Sequence, residues 1–179
     1  GVWLDAMEAD GALNYAQALE LAQALSRVRA AGKKVCAHFV NADGRLYLGL
    51  CGADVLTIEP LGTLAALGVR LEVMHFKGFL DWLGAEADLL QCGEFKSAGE
   101  AFTLKTPGKD ARVAYDALVE DLYARVTAET AAARKLKPAE VARLMDGGPY
   151  GAAEAVRLKL ADGAARRAAI SPALEKILG

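Results

Sequence analysis

Serine is scarce in this chain. Among 179 residues it occurs only as Ser26, Ser97 and Ser171, so serine chemistry has three places to sit. Histidine is scarcer, with His38 and His75. Both fall in stretches that read as strands, where core or edge roles are expected of them. The three cysteines, Cys36, Cys51 and Cys92, form no CxxC pair. A zinc site or disulfide framework is therefore not expected, and each cysteine reads as a small buried apolar residue. No carboxylate spacing suggests a metal cluster. Gly147, Gly148 and Gly151 lack the strand-to-helix setting of a phosphate loop. The sequence thus implies neither a metal nor a cofactor.

Long apolar runs are missing too. No window of about 18 uncharged apolar residues exists, so no membrane-spanning helix is expected. No signal peptide is present; the chain opens on "GVWLD", which reads as the end of a core strand. The expectation is a piece of a longer protein whose targeting signals lie elsewhere. Charge of one sign is also lacking. The 21 basic and 23 acidic residues are interspersed and give a formal charge of −2, which offers no surface for nucleic acid or an anionic membrane.

Hydrophobic residues make up 54% of the chain, enough for one ordinary domain with a real core, here taken as residues 1–179. Val2–Leu4 and "KKVCAHFV" read as strands, separated by a helix from about Ala12 to Ala31 that Gly32 closes. A short helix after the Asn41–Gly44 turn leads to "VLTIEP", a strand expected to stop at Pro60. "LGTLAALG" reads as a loop, "VRLEVMHF" as a strand, "GFLDWLG" as a short helix and "ADLLQCG" as a further strand-like run. A long amphipathic helix from about Asp110 to Leu136 should bury Ala114, Leu118, Leu122 and Val126. "KPAEVARLM" reads as a second helix with Pro138 at its first turn, and "GPYGAAEAVRLKLADG" as a turn, a third helix and an exit. Strands alternating with helices imply an α/β fold with a largely parallel sheet.

One stretch resists a purely structural account. "QCGEFKSAGEAFTL" (residues 91–104) places Lys96 among Phe95, Ser97, Ala98 and Gly99. A lysine is a general base only when neutral, so its pKa must fall from about 10.4 toward operating pH. Desolvation is the usual cause, and Phe95 and Phe102 offer a dry setting. The residues alone leave two readings open, a desolvated base and a solvated loop lysine. Ser97 is a poor nucleophile for Lys96, because adjacent side chains on an extended segment point to opposite faces.

The stretch "GEFKSAGEAFTL" resembles the lysine motif of the signal peptide peptidase A (protease IV) family, with Ala101 where a proline is usual. "LYLGLCGADVLTIEPLGTL", "MHFKGFLDWLGAEADLLQCGEFKSA" and "KPAEVARLMDGGPYGAAEAVRLKLADG" are similar to further family segments in the same order, so the resemblance covers nearly the whole chain. It implies a Clp protease/crotonase-like fold of stacked β-β-α units with C-terminal helices. It also implies a Ser-Lys dyad, which the family's long, tandem-domain forms split between an amino-terminal lysine domain and a carboxy-terminal serine domain. Lys96 would then be the general base. Where short forms carry the serine this chain has Asp43, Gly44 and Arg45, and "DAMEADG" stands in place of the oxyanion turn.

Both departures fit the amino-terminal half of a long form. The resemblance implies peptide substrates left over from signal peptides, a serine-bearing homologous domain as partner, a homo-oligomer, and a place at a bacterial inner membrane facing the periplasm. The chain by itself is expected to be inert. Three rival readings are a catalytically inert scaffold half, a crotonase-like acyl-coenzyme A-binding domain and a plain α/β interaction domain.

Overall fold

In the computed structural model, which describes residues 1–9, 11–65, 67–88 and 97–170, the amino-terminal apolar run forms strand β1 (Val2–Ala6). Helix α1 (Tyr15–Ala30) follows and opens on a capping box. The Asn14 side chain accepts from the Gln17 amide, and the Gln17 side chain accepts from the Asn14 amide. Two otherwise orphaned donors are thereby satisfied, which sets the helix start three residues later than apolar content alone suggests. Strand β2 (Val35–Ala42) carries the unbroken run VCAHFV and is buried along nearly its whole length, as a central parallel strand requires.

Helix α2 (Gly44–Leu50) follows β2 directly and leads to strand β3 (Val55–Leu64). The strand does not stop at Pro60, as the sequence suggested. Its pairing with β2 shifts register between Phe39 and Asn41, and proline, which cannot donate to a ladder, is tolerated at such an irregularity. Gly62 makes the shift possible, since a Cβ there would lie 2.1 Å from the Val40 carbonyl oxygen. Strands β1, β2 and β3 run parallel. Two short strands complete the sheet: β4 (Tyr150–Gly151), antiparallel to β3, and β5 (Gly163–Ala164), parallel to it. The largely parallel sheet expected from the alternation of elements is present.

Further along come α3 (Lys77–Leu83), α4 (Glu100–Thr103), α5 (Lys109–Arg134), α6 (Pro138–Gly147) and α7 (Ala152–Arg157). The chain forms two compact units, one of residues 1–68 and 125–179, the other of residues 69–124. In the first unit the core is built from Phe39, Leu56 and Ile58 of the sheet with Ala18 and Leu25 of α1 and Leu46 and Leu48 of α2. Gly49 lets α2 approach α1, because a Cβ there would meet Leu21 Cδ2 at 3.0 Å. Tyr47 is buried and its hydroxyl donates to the Leu160 carbonyl at 2.9 Å, tying α2 to the turn that follows Ala152–Arg157. Burial pushes that phenol well above its ordinary pKa.

In the second unit Phe76 stacks on Phe102 with ring centroids 5.6 Å apart, and the Phe76 amide donates to the Ala101 carbonyl at 2.6 Å. Residues 69–76 are not a strand, contrary to their alternating sequence. Leu71, Val73 and Met74 all stand exposed, and alternation specifies a strand only where a sheet edge and a core face exist to receive it. The helix expected at 110–136 is present, but of its expected buried stripe only Val126 is fully buried, while Leu118 is 50% exposed. The strand-like run expected at 87–93 lies almost wholly outside the described residues.

Asp54 closes the amino-terminal edge of the sheet. Its Oδ2 accepts from the Val35 amide at 2.9 Å, and Arg29 Nε and Lys34 Nζ face Oδ1 at 3.2 and 3.5 Å. Burial raises this carboxyl's pKa, but the amide bond and the two cations outweigh it and hold it below the ordinary value. A depressed folded-state pKa stabilises the fold above the unfolded value near 3.9, and the contribution is lost as pH falls through the folded value. Asp54→Asn is therefore expected to be less stable than the wild type at pH 7, with the gap closing as pH drops below about 4. Thermal unfolding of both proteins across that range measures it. A gap unchanged in acid would show that the charge is not what matters.

Candidate active site

Strands β2 and β3 end opposite one another at Ala42 and Leu64, while β1 ends at Ala6, opposite Phe39. In open α/β sheets the carboxyl ends of the strands are where ligands and reacting groups gather. Here that edge carries the β2–α2 junction, and Asp43 sits on it as the N-cap of α2. Its Oδ1 accepts from the Leu46 amide at 2.9 Å, and its Oδ2 accepts from Arg45 Nε at 2.8 Å. Aspartate is a favoured N-cap because its oxygen satisfies a free helix donor. The carboxylate is thus held by the helix start and by the neighbouring guanidinium.

Tyr15, the first residue of α1, donates its hydroxyl to the Gly68 carbonyl at 3.1 Å. Burial raises its phenol pKa, with smaller opposing effects from Arg45 (lowering) and Asp43 (raising). These three side chains form one polar junction at the strand ends. It offers a carboxylate, a guanidinium and a phenol, and none of them is an aliphatic hydroxyl that a base could turn into an acyl acceptor. After β1 the chain turns through the Ala9 amide to the Ala6 carbonyl at 3.5 Å and the Ala12 amide to the Ala9 carbonyl at 3.1 Å. Those two amides are spent within the turn itself.

The second unit holds the carboxy-terminal half of the stretch around Lys96. Lys96 itself, with Phe95 and Cys92, lies outside the described residues. Ser97 opens a turn in which its carbonyl accepts from the Glu100 amide at 3.0 Å. The Glu100 carboxylate in turn accepts from the Gly108 amide at 2.8 Å, and Gly108 has no room for a side chain beside it, since a Cβ would meet Glu100 Oε1 at 2.9 Å. Phe102 is anchored by its stacking on Phe76. Two residues that matched by sequence, Glu100 and Phe102, therefore brace the segment that follows Lys96.

His38 and His75 take different places. His38 is buried, with Nδ1 2.9 Å from Thr57 Oγ1 and Nε2 3.2 Å from Glu59 Oε2, and it stacks on Trp3. It is a satisfied core residue, as its strand position implied. His75 is not in a strand; its Nδ1 meets the Leu104 carbonyl at 2.8 Å, while Nε2 is buried without a partner. Cys36 and Cys51 are buried free thiols, and burial pushes Cys51 up to about 12, far from a reactive thiolate. Ser26 lies in α1 and faces a different cavity, shared with Cys51 and Glu129. Among the described residues no His, Cys, Asp and Glu cluster could hold a metal. No helix among them is long and apolar enough to cross a membrane.

The sheet and its covering helices define a mixed α/β domain with a polar junction at the β2–α2 turn. Residues 27–177 match the family described as Peptidase family S49, and the chain belongs to that family; it is a protease-type domain. A Methanocaldococcus jannaschii protein named "Putative protease" is 24% identical over 116 residues, which are 65% of this chain and 37% of that protein. The chain thus spans well under half the length of this curated relative. Among solved structures, a peptidase from Plasmodium falciparum aligns over 93% of this chain and 79% of its own, with 8% identity and a TM-score of 0.44.

Proposed function

We propose that this chain is the lysine-bearing half of a Ser-Lys peptidase of the signal peptide peptidase A type, with Lys96 as general base. The observation that carries the reading is the occupied β2–α2 junction. The residue that would be the nucleophile of a one-domain enzyme is Asp43, and its carboxylate is engaged by the Leu46 amide and Arg45. A peptidase-family domain with a base but no hydroxyl at that junction must receive its serine from elsewhere. The proposed source is a homologous domain of the same protein. The lysine accepts the proton of that serine as it attacks the scissile carbonyl, and returns it to the leaving amine.

The proposed substrates are signal-peptide remnants, and the proposed setting is a homo-oligomer at the inner membrane, facing the periplasm. The presence of Lys96 in its motif supports this over an inert scaffold, which would belong to the same family. Within that motif Glu100 and Phe102 brace the following turn, and a scaffold would have equal use for those two residues. Only Lys96 distinguishes the two readings.

Labelling the intact protein with a serine-directed phosphonate and mapping the adduct by mass spectrometry tests the proposal. The adduct is expected on a serine outside Gly1–Gly179. An adduct on Ser97 would overturn the split arrangement.

A further inference from the structure

Helix α3, of seven residues, has none that is buried. Short helices in proteins ordinarily persist by packing an apolar face, and this one turns such a face outward. Phe79, Trp82 and Leu83 stand three and four residues apart, so they share one side of the helix. The Phe79 and Trp82 rings lie 6.0 Å apart. Phe79 is 57% exposed, Trp82 79% and Leu83 55%. The three leave roughly 400 Å² of apolar surface in water, in the range of the largest patch on a typical monomer, which is often functional. Met74, ahead of the helix, is exposed as well.

The helix is held by other residues. At its start the Phe76 amide donates to the Ala101 carbonyl, and the Phe76 ring stacks on Phe102. Asp81 accepts from Lys77 one turn back and pairs with Lys105 at 3.2 Å. Gly84 closes the end in the left-handed region at φ 68°, and the Ala85 amide returns to the Leu80 carbonyl at 3.0 Å, the Schellman closure. None of these contacts uses Phe79, Trp82 or Leu83. The second unit therefore presents a fixed apolar face that its own folding leaves uncovered.

Charge points to the occupant. Residues 69–124 hold ten acidic residues against six basic, a formal charge of −4, while the rest of the chain holds thirteen against fifteen, or +2. Asp81 is taken by Lys77 and Lys105. Glu86 and Asp88, just past the helix, are exposed and have no ion pair among the described residues. A second copy would bring the same negative excess to the face, and like charges brought together oppose docking. A peptide with an apolar core and a basic end is attracted at both parts. Methionine beside aromatic rings adapts to many apolar sequences, which suits a class of peptides alike in composition rather than in sequence.

We infer that the outward face of α3 captures peptides with an apolar core and a basic end. The core lies on Phe79, Trp82 and Leu83, and the basic end beside Glu86 and Asp88. Signal-peptide remnants have this composition, a positively charged stretch followed by about 7–15 apolar residues. That the captured peptide is a substrate rests on the function proposed above; the capture itself does not need Lys96. A captured peptide is held on the unit whose sequence contains the proposed base, which raises its effective concentration there.

Fluorescence titration of the full chain tests this. The tryptophans are Trp3 and Trp82, so Trp3→Phe leaves Trp82 as the reporter, and Lys96→Met ensures that no peptide is consumed. Trp82 emission is expected to move to shorter wavelength with a leucine-alanine peptide that has a lysine-rich end, and to stay in place with a serine-glycine peptide of the same charge. The Phe79→Ser, Leu83→Ser double variant should weaken binding by about tenfold or more, with circular dichroism confirming the fold. The Glu86→Gln, Asp88→Asn double variant alters only exposed side chains, and should weaken the lysine-ended peptide while leaving a neutral-ended one unaffected. An equal shift with the serine-glycine peptide, or full affinity in both double variants, would overturn the inference. So would short-wavelength Trp82 emission in the free chain together with self-association in sedimentation, because the face would then lie between copies. Capture retained in Lys96→Met supports the surface whatever hydrolysis does in that variant, so the surface and the base stand or fall separately.

Discussion

Replacing Lys96 with methionine in the intact protein is expected to reduce peptide hydrolysis by 10²–10⁴-fold, the range that one placed proton-transfer group supplies. The fold should survive, because methionine is an unbranched side chain of similar bulk that lacks the amine. The neighbouring braces, Glu100 on Gly108 and Phe102 on Phe76, do not involve the amine. Initial-rate assays with a signal-peptide-like substrate, alongside circular dichroism, separate lost chemistry from lost folding. Turnover close to wild type in a well-folded variant would end the assignment of Lys96 as base and leave the scaffold reading in its place.

The second large effect concerns the chain by itself. Residues 1–179 should fold and yet cleave no signal-peptide-like substrate above background. At the β2–α2 junction Asp43 is engaged by Arg45 and by the start of α2, and a carboxylate so held does not replace an activated serine in acyl transfer. The turn after β1 spends the Ala9 and Ala12 amides on its own carbonyls, and losing a single oxyanion donor commonly costs about 10²–10³-fold. Adding a separately purified serine-bearing domain should restore hydrolysis only if its hydroxyl reaches the Lys96 amine, and the restoration should vanish with Lys96→Met. Robust cleavage by the 179-residue chain alone would mean that one of Ser26, Ser97 and Ser171 acts as nucleophile after all.

Much of the first unit is legible in the sequence, because its signals are local and strong. The unbroken VCAHFV run belongs to a strand buried on both faces, and Pro138 marks a helix start. Three features were not legible, each because a distant partner decides it. Pro60 lies inside β3 because Gly62 and the Val40 carbonyl permit a register shift there. The alternation of residues 69–76 is genuine but gains no strand partner among the described residues. The stripe expected along α5 follows helical spacing, yet spacing does not say what will cover Leu118.

At the site, the absence of a hydroxyl at residues 43–45 was readable. The aspartate's role as a helix cap fixed by its own arginine was not, since capping depends on where the helix begins.

The order of the two units along the chain has a consequence for how this protein tolerates change. The first unit is discontinuous, and residues 69–124 interrupt it. Its core needs Tyr47 to reach Leu160 across that interruption, yet closure entropy rises only logarithmically, by about 0.6 kcal/mol for each doubling of the intervening length. Long additions should therefore cost the first unit little, provided they enter on the outgoing side. There residues 69–76 run without regular structure, and an extra residue only lengthens the path. The returning crossing, between Ala124 and Arg125, lies inside α5. One inserted residue there would rotate everything beyond it by about 100° and swing Val126 and Thr130 out of the core. Natural variation and engineered insertions should thus accumulate at one crossing and be purged at the other, leaving the lysine-bearing insert free to change size from one direction only.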